Sequence, residues 1–489
     1  MYSKINSAVV SGMKGEVIEI ETQISNGLPY HIIVGLPSQT IRESKDRVKS
    51  AIRESGFKFP DQKITQNLYP AHLKKEGAHL DLPLSIGILA SILDFNLKLD
   101  TYGFIGELSL EGEIKPVSGS VALVEAFAKK GINHIVLPAS NLKELITIEG
   151  VSYHPVNQLG DLIKELIEGS LETASGLGAV ADAPRAQGNY NETRGLNHVI
   201  RALTISAAGG FNTLLVGPPG CGKTMLAERF QTILPSLTET EYVEVSKLYA
   251  LTGEAYMNRH RPFRMPHHSI SITGMIGGTS ALLPGEISKA HRGVLFLDEI
   301  LEYKNPVLQA LREPISSGKI QLTKNFKNAS YPCEFTMIAT MNPCPCGFHL
   351  SKYKACTCNS YEIKRYLNKM SGALLDRFHM IVYLDRAGQF VENKGTRGKD
   401  SIELRKDVED VCKRILKFRD DNTPMQIEVD AIPVLQQLYA TKNLSMRGAK
   451  QLLSVAEVIA HFNASDTIDK SALYEAASYH NLSRLKEGL

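Results

Sequence analysis

The stretch Gly217-Pro218-Pro219-Gly220-Cys221-Gly222-Lys223-Thr224 matches G-x-x-x-x-G-K-[ST] at every fixed position. Such a loop turns backbone N–H groups toward a phosphate chain; Lys223 would neutralise β/γ oxygens and the Thr224 hydroxyl would hold Mg²⁺. Downstream, Gly293-Val-Leu-Phe-Leu-Asp298-Glu299-Ile300 is an apolar run that ends in two carboxylates. Asp298 is suited to sharing the Mg²⁺ shell and Glu299 to polarising an attacking water. A third run, Phe335-Thr-Met-Ile-Ala-Thr-Met-Asn342, ends in an amide that can orient the same water. Taken singly, Asp-Glu at a helix start and Asn before proline are ordinary turn chemistry. After a phosphate loop they read as the parts of nucleotide hydrolysis, with ATP and Mg²⁺ as the expected cofactors.

Two further clusters carry possible chemistry. Cys344, Cys346, Cys356 and Cys358 supply four thiols, enough for a tetrahedral zinc site, with His349 able to replace one ligand. Four free thiols in a loop are the alternative, since C-x-C pairs are less usual than C-x-x-C. A zinc ion here would be structural and would pin the loop after Asn342. From Gly318 to Glu334 the sequence reads as a β-hairpin, with Lys319, Lys324 and Lys327 able to meet phosphates and Phe326 able to stack on a base. Lysines also keep an exposed strand from pairing edge to edge, which is the competing reading. The glycine-rich stretch 270–278 is a second candidate for substrate contact.

These groups need elements to hold them. Thr213–Val216 has the pattern of a buried strand entering the phosphate loop and 225–234 that of the helix leaving it. Around them, residues 189–385 alternate strand and helix patterns, the signature of an α/β nucleotide-binding core. Beyond a Gly/Lys-rich loop at 388–399 the period is helical, at 402–419, 431–439, 447–462 and 470–482, giving a separate helical region over 386–489. Residues 169–188 are small and lack either hydrophobic period, which marks a linker. It divides off an α+β domain over 1–168, with strand-like runs at 16–24, 31–34 and 134–137 and helical patterns at 41–54 and 121–130. A chain of 489 residues fits about three domains. Its net charge of +3 says little about partners. The longest nearly apolar stretch, 82–93, is too short to span a bilayer and reads as a buried helix. Without a visible secretory signal, and with seven mostly clustered cysteines, a cytoplasmic protein with no membrane partner is expected.

The order of phosphate loop, Asp-Glu strand, Asn strand, Leu374-Leu375-Asp376-Arg377-Phe378 and helical C-terminal region resembles the AAA+ ATPases. More closely, the chain resembles the ComM/YifB family, related to the magnesium-chelatase ATPase subunit. The strings that carry this include Arg261-Pro-Phe-Arg264-Met-Pro-His267-His268-Ser269, Pro284-Gly-Glu286-Ile-Ser, Met341-Asn-Pro-Cys-Pro-Cys-Gly347 and Ser371-Gly-Ala-Leu-Leu-Asp-Arg377. The resemblance implies an AAA+ core with a helical lid and a homohexameric ring with ATP held between subunits. It also implies Arg377 as an arginine finger on the neighbour's γ-phosphate and Arg447 as the lid arginine, sensor 2, touching the nucleotide. The hairpin and the 270–278 stretch would face the pore. The implied activity is that of an ATP-driven motor on DNA, a branch-migration helicase of recombination and natural transformation. Its rivals are a metal-chelatase motor subunit and a protein remodeller.

The N-terminal region resembles the proteolytic domain of Lon, an S5-type α+β fold, through Asp81-Leu-Pro-Leu84-Ser85-Ile-Gly87 and Gly106-Glu107 to Gly119. That family uses a Ser-Lys pair, in which a lysine of lowered pKa deprotonates the serine. Alignment puts Leu84 and Val121 at those places, and Ser85 one position off. A protease-like fold without protease chemistry is expected.

Overall fold

The computed structural model describes the chain except residues 12, 146, 175–187, 194–195, 255, 257, 279–281, 325–326, 350, 352–353, 385–397, 421–424, 443 and 481–489. Most of the expected linker, most of the 388–399 loop, and Phe326 thus lie outside the described residues. The chain forms two compact units, Met1–Ala181 with Tyr242–Asn258, and Asp182–Glu241 with Arg259–Leu489.

The first unit is built on a seven-stranded mixed sheet. Its spine is a long antiparallel pair, Tyr2–Ser11 against Lys14–Ser25, in register from Tyr2 opposite Gln23 to Ser11 opposite Lys14. The first strand keeps several polar residues inside, each with a backbone acceptor. Ser3 Oγ donates to the Gly87 carbonyl, Asn6 Nδ2 to that of Asp100, and Ser7 Oγ to that of Phe104. The helix Gln39–Glu54 starts at a Ser38 cap and buries Ile41, Val48, Ala51 and Ile52 along one face. The helix Asp81–Ala90 is buried from Asp81 to Leu89, consistent with its almost wholly apolar sequence. Leu84 and Val121 are both core residues, and the Ser85 hydroxyl, fully buried, donates to the Leu82 carbonyl at 2.7 Å. It is not presented to any substrate. Residues 242–258, which follow the phosphate-loop region in sequence, pack into this first unit, where Lys247 pairs with Glu125 at 2.5 Å.

The second unit is α/β. Its five parallel strands lie in the order Phe263–Arg264, Val294–Leu297, Thr336–Met341, Thr213–Val216, Met380–Tyr383. The two strands that lead to the phosphate loop and to Asp298 are buried at every position, as a parallel sheet covered on both faces requires. Four helices follow, Ser401–Asp420, Ile432–Thr441, Met446–Phe462 and Lys470–Tyr479, and they share one hydrophobic core with helix Asn197–Gly209. Arg201 on that helix donates to Glu475 at 3.0 Å. Two fixed ion pairs account for part of the 261–269 string. Arg261 grips Glu241, and Arg264 forms a two-bonded pair with Glu286 at 2.7 and 2.8 Å.

Candidate nucleotide site and cysteine knuckle

The strand ending at Asn342 lies between the phosphate-loop strand and the strand ending at Asp298, so three chemical groups converge at one edge of the sheet. Gly220 and Gly222 take φ of 72° and 88°, a region open to glycine, which lets the loop fold back over the helix start at Lys223. Gly217 has no room for a side chain: a Cβ there would sit 2.7 Å from the Leu384 carbonyl oxygen. Pro218 and Cys221 are buried, whereas Pro219 and Gly220 are exposed at the tip of the loop.

Lys223 Nζ donates to the Gly217 and Pro218 carbonyls at 2.7 and 3.0 Å and to Asn342 Oδ1 at 3.0 Å. Burial lowers its pKa, while the fields of Cys221, Asp298 and Glu299 act the other way. Thr224 Oγ1 lies 3.2 Å from both oxygens of Asp298. A divalent cation ligated by this hydroxyl and carboxylate would use donors already in contact. Glu299 is exposed and stands at φ 48°, a left-handed conformation that is costly for a non-glycine residue. What holds it there is Thr340, which sequence reasoning passed over. The Glu299 N–H donates to Thr340 Oγ1 at 2.8 Å, and the same hydroxyl donates to Asp298 Oδ1 at 2.5 Å. Its sequence signal is a lone hydroxyl two residues before Asn342, at the opposite end of the strand from Thr336.

Arg377 and Arg447 are not brought to this edge. Arg377 precedes the strand Met380–Tyr383, and His379 Nδ1 accepts from the N–H of Asn212 at 3.2 Å, just before the strand Thr213–Val216. The phosphate loop leaves the other end of these parallel strands, about 10 Å further along. Arg447 lines one recess with His379 and Gln451, and Gln451 Nε2 donates to the Asp376 carbonyl at 3.0 Å. Burial first, then the like charges of Arg447 and Arg312, lower the pKa of Arg377, against the opposing pull of Asp376. Three guanidinium groups therefore gather on one face, and Arg312 Nε is buried without a hydrogen-bond partner. Arg447 thus lies on the Arg377 side of the unit, away from the phosphate loop of its own chain.

The four thiols do come together. Cys344 Sγ lies 3.3 Å from Cys346 Sγ and 3.6 Å from Cys356 Sγ, Cys346 and Cys356 are 3.5 Å apart, and all four sulfurs fall within 4.8 Å of one another. A tetrahedral zinc with bonds of about 2.3 Å needs sulfurs about 3.8 Å apart, so the cluster fits that ion closely. Burial pushes the Cys346 thiol up, but N–H groups of Phe348 and Thr357 and the neighbouring thiols outweigh it and bring it down to about 5. The hairpin is present too. Lys319–Lys324 pairs with Lys327–Pro332, burying Ile320 and Leu322 on one face while Lys319 and Lys324 stand exposed. The 270–278 stretch contains a short helix, Ile272–Ile276, capped by Ser271.

Comparison with known proteins agrees with this architecture. A family model described as magnesium chelatase, subunit ChlI, matches residues 189–390, and a second, subunit ChlI of Mg-chelatase, matches 20–141. The YifB protein of Escherichia coli strain K12 is 37% identical over 99% of this chain and 98% of its own length. Its counterpart in Salmonella typhimurium is 36% identical over 98% of this chain and 97% of its own length. The competence protein ComM of Haemophilus influenzae is 34% identical over 99% of this chain and 98% of its own length. Lon protease 2 of Bacillus subtilis is 23% identical over 33% of this chain and 32% of its own length, a partial likeness. With relatives this similar along nearly its whole length, the chain belongs to the ComM/YifB family of magnesium-chelatase-related AAA+ ATPases.

Proposed function

We propose that this protein is a ring-forming ATPase that moves on DNA and drives branch migration, as in recombination or natural transformation. The observation that carries the ATPase part is the convergence of Lys223, Thr224, Asp298, Glu299 and Asn342 at one sheet edge, with Lys223 bonded to Asn342, Thr224 to Asp298, and Thr340 linking Asp298 to the Glu299 N–H. ATP enters with its phosphates along Gly217–Thr224, where Lys223 exchanges its carbonyl partners for β/γ oxygens. Thr224 and Asp298 would hold Mg²⁺, which when bound would supply charge neutralisation across the phosphates. Glu299 takes a proton from the attacking water and Asn342 orients it. Because Arg377 and Arg447 lie on the opposite edge of the sheet, both act on a nucleotide held by the next copy in a homohexameric ring. An arrangement of like-charged arginines, unfavourable in isolation, is what a γ-phosphate would relieve.

The DNA part is supported by the likeness to a competence protein and by the exposed Lys319 and Lys324 on the hairpin, with Lys327 near its tip. The test is ATPase rate with and without single-stranded, duplex and branched DNA, in wild type and in a Lys324→Ala/Lys327→Ala variant. The proposal expects DNA stimulation in wild type. In the variant it expects preserved basal turnover, weaker DNA affinity and a salt dependence flatter by about two phosphate contacts. A wild-type ATPase indifferent to every DNA overturns the DNA reading. Stimulation by a protein partner in place of DNA would favour a chelatase-type or remodelling motor.

A further inference from the structure

The cysteine cluster is not a distant ornament of the ATPase unit. Gly347, one residue beyond Cys346, stands at φ 82°, and a Cβ built on it would lie 2.5 Å from Pro219 Cδ and 2.8 Å from Pro219 Cγ. The turn between the first two thiols and the next pair therefore lies flush against the exposed tip of the phosphate loop. The other pair of thiols leads straight into the helix Ser360–Leu367. Asn359, next after Cys358, caps that helix in a reciprocal arrangement with Glu362, which fixes where the helix begins.

That helix reaches the hydrolytic side. Just past its end, Lys369 Nζ donates to the Leu301 carbonyl at 3.4 Å, in the turn that follows Glu299, and lies 5.5 Å over the Tyr366 ring. The Tyr366 hydroxyl lies beside Asn342, and burial first, then the nearby Glu302 and Glu299 charges, raise its pKa. Nothing in the sequence marks Tyr366, which occupies one position on an ordinary amphipathic helix.

We propose that the four-thiol knuckle is the positioning element of the nucleotide site. Through Gly347 it backs Pro219 of the phosphate loop, and through the helix Ser360–Leu367 it sets Tyr366 against Asn342. A metal-loaded knuckle thus keeps the phosphate-binding and water-orienting halves in register, and metal occupancy sets nucleotide affinity and turnover together. Gly347 and Tyr366 are positioning residues and touch no substrate. This rests on the ATPase reading above, and the two fail in different ways.

The test uses the full-length protein purified without chelator. Zinc is measured by elemental analysis, fluorescent ADP affinity by titration, and ATPase kcat and KM by steady-state kinetics. Gly347→Ala leaves every thiol in place but crowds Pro219 and forces alanine into a left-handed conformation. It is expected to keep one zinc per chain while nucleotide affinity falls about tenfold or more. Tyr366→Phe is expected to keep zinc and KM while kcat falls about tenfold, the loss of the hydroxyl beside the water-orienting Asn342. Removing zinc with a chelator should weaken ADP binding and turnover reversibly, both returning when zinc is restored. Wild-type constants in both variants, zinc-stripped protein of unchanged affinity and rate, or wild-type protein without zinc would each overturn the proposal. Failure of the ATPase reading looks different: wild-type, zinc-loaded protein that binds no nucleotide.

Discussion

Thr340 offers the sharpest test of how this site is assembled. Its hydroxyl is fully buried and makes two bonds, donating to Asp298 Oδ1 at 2.5 Å and accepting from the Glu299 N–H at 2.8 Å. Thr340→Val keeps the shape and removes both. A hydrogen bond to a charged group contributes about 1.5–3 kcal/mol, and its loss leaves Asp298 Oδ1 with only the 3.2 Å bond from Thr224. The backbone clamp on Glu299 is lost as well, and a left-handed non-glycine residue costs about 1–3 kcal/mol to maintain. If these losses fall on the step in which Glu299 must face the water, kcat drops about 10–100-fold. The phosphate-binding groups around Lys223 are untouched, so ADP affinity measured without Mg²⁺ should stay within about threefold of wild type. Thr340→Ser, which keeps the hydroxyl, should recover most of the rate. A valine variant with kcat within about twofold of wild type, or a serine variant as slow as the valine one, would refute the clamp.

Arg377→Ala and Lys223→Ala chains should each be inactive alone, yet mixed rings should regain part of the activity, because the two defects lie on opposite edges of the sheet. Arg447→Ala should behave like Arg377→Ala in such mixing, and rescue of neither, despite demonstrated exchange of chains, would count against a shared site. Burial holds His379 and His79 at about 4, against 6.5 in an unfolded chain, so both fold neutral. The unfolded state then takes up more protons as pH falls, and the stability present above pH 6.5 is lost progressively down to about pH 4. Between pH 7 and pH 5 this amounts to about 2 kcal/mol per histidine, read from urea unfolding; a flat profile would show that these histidines are not buried neutral.

The parts of the site that lie contiguous in sequence were legible from it: the loop at Gly217–Thr224, the carboxylates after Val294–Leu297 and the amide after Thr336–Met341. Their lateral order was not, because a parallel sheet's strand order is set by crossovers and leaves no mark in each strand's own pattern. Thr340 was hidden for a related reason, since a threonine inside a buried strand looks like any β-branched residue. The strand Tyr2–Ser11 escaped a hydrophobic reading because Ser3, Asn6 and Ser7 are turned inward and satisfied by backbone carbonyls. Residues 242–258 follow the phosphate-loop region in sequence, yet they pack within the first unit, where Lys247 pairs with Glu125. Periodicity reports a helix's faces and not which core each face enters. Arg447 shows the limit of a motif by itself, because its role depends on which edge of the sheet the helix Met446–Phe462 covers.

The central claim is that Lys223 holds phosphate while Glu299 activates water, two separable jobs within one site. The direct measurement is nucleotide retained per chain, together with single-turnover hydrolysis, for wild type, Lys223→Ala and Glu299→Gln. The account predicts no retained nucleotide for Lys223→Ala, and for Glu299→Gln full retention of unhydrolysed ATP with turnover about 10²-fold slower or more. A Glu299→Gln protein that hydrolyses ATP at the wild-type rate, or a Lys223→Ala protein that binds it as tightly as wild type, would contradict it.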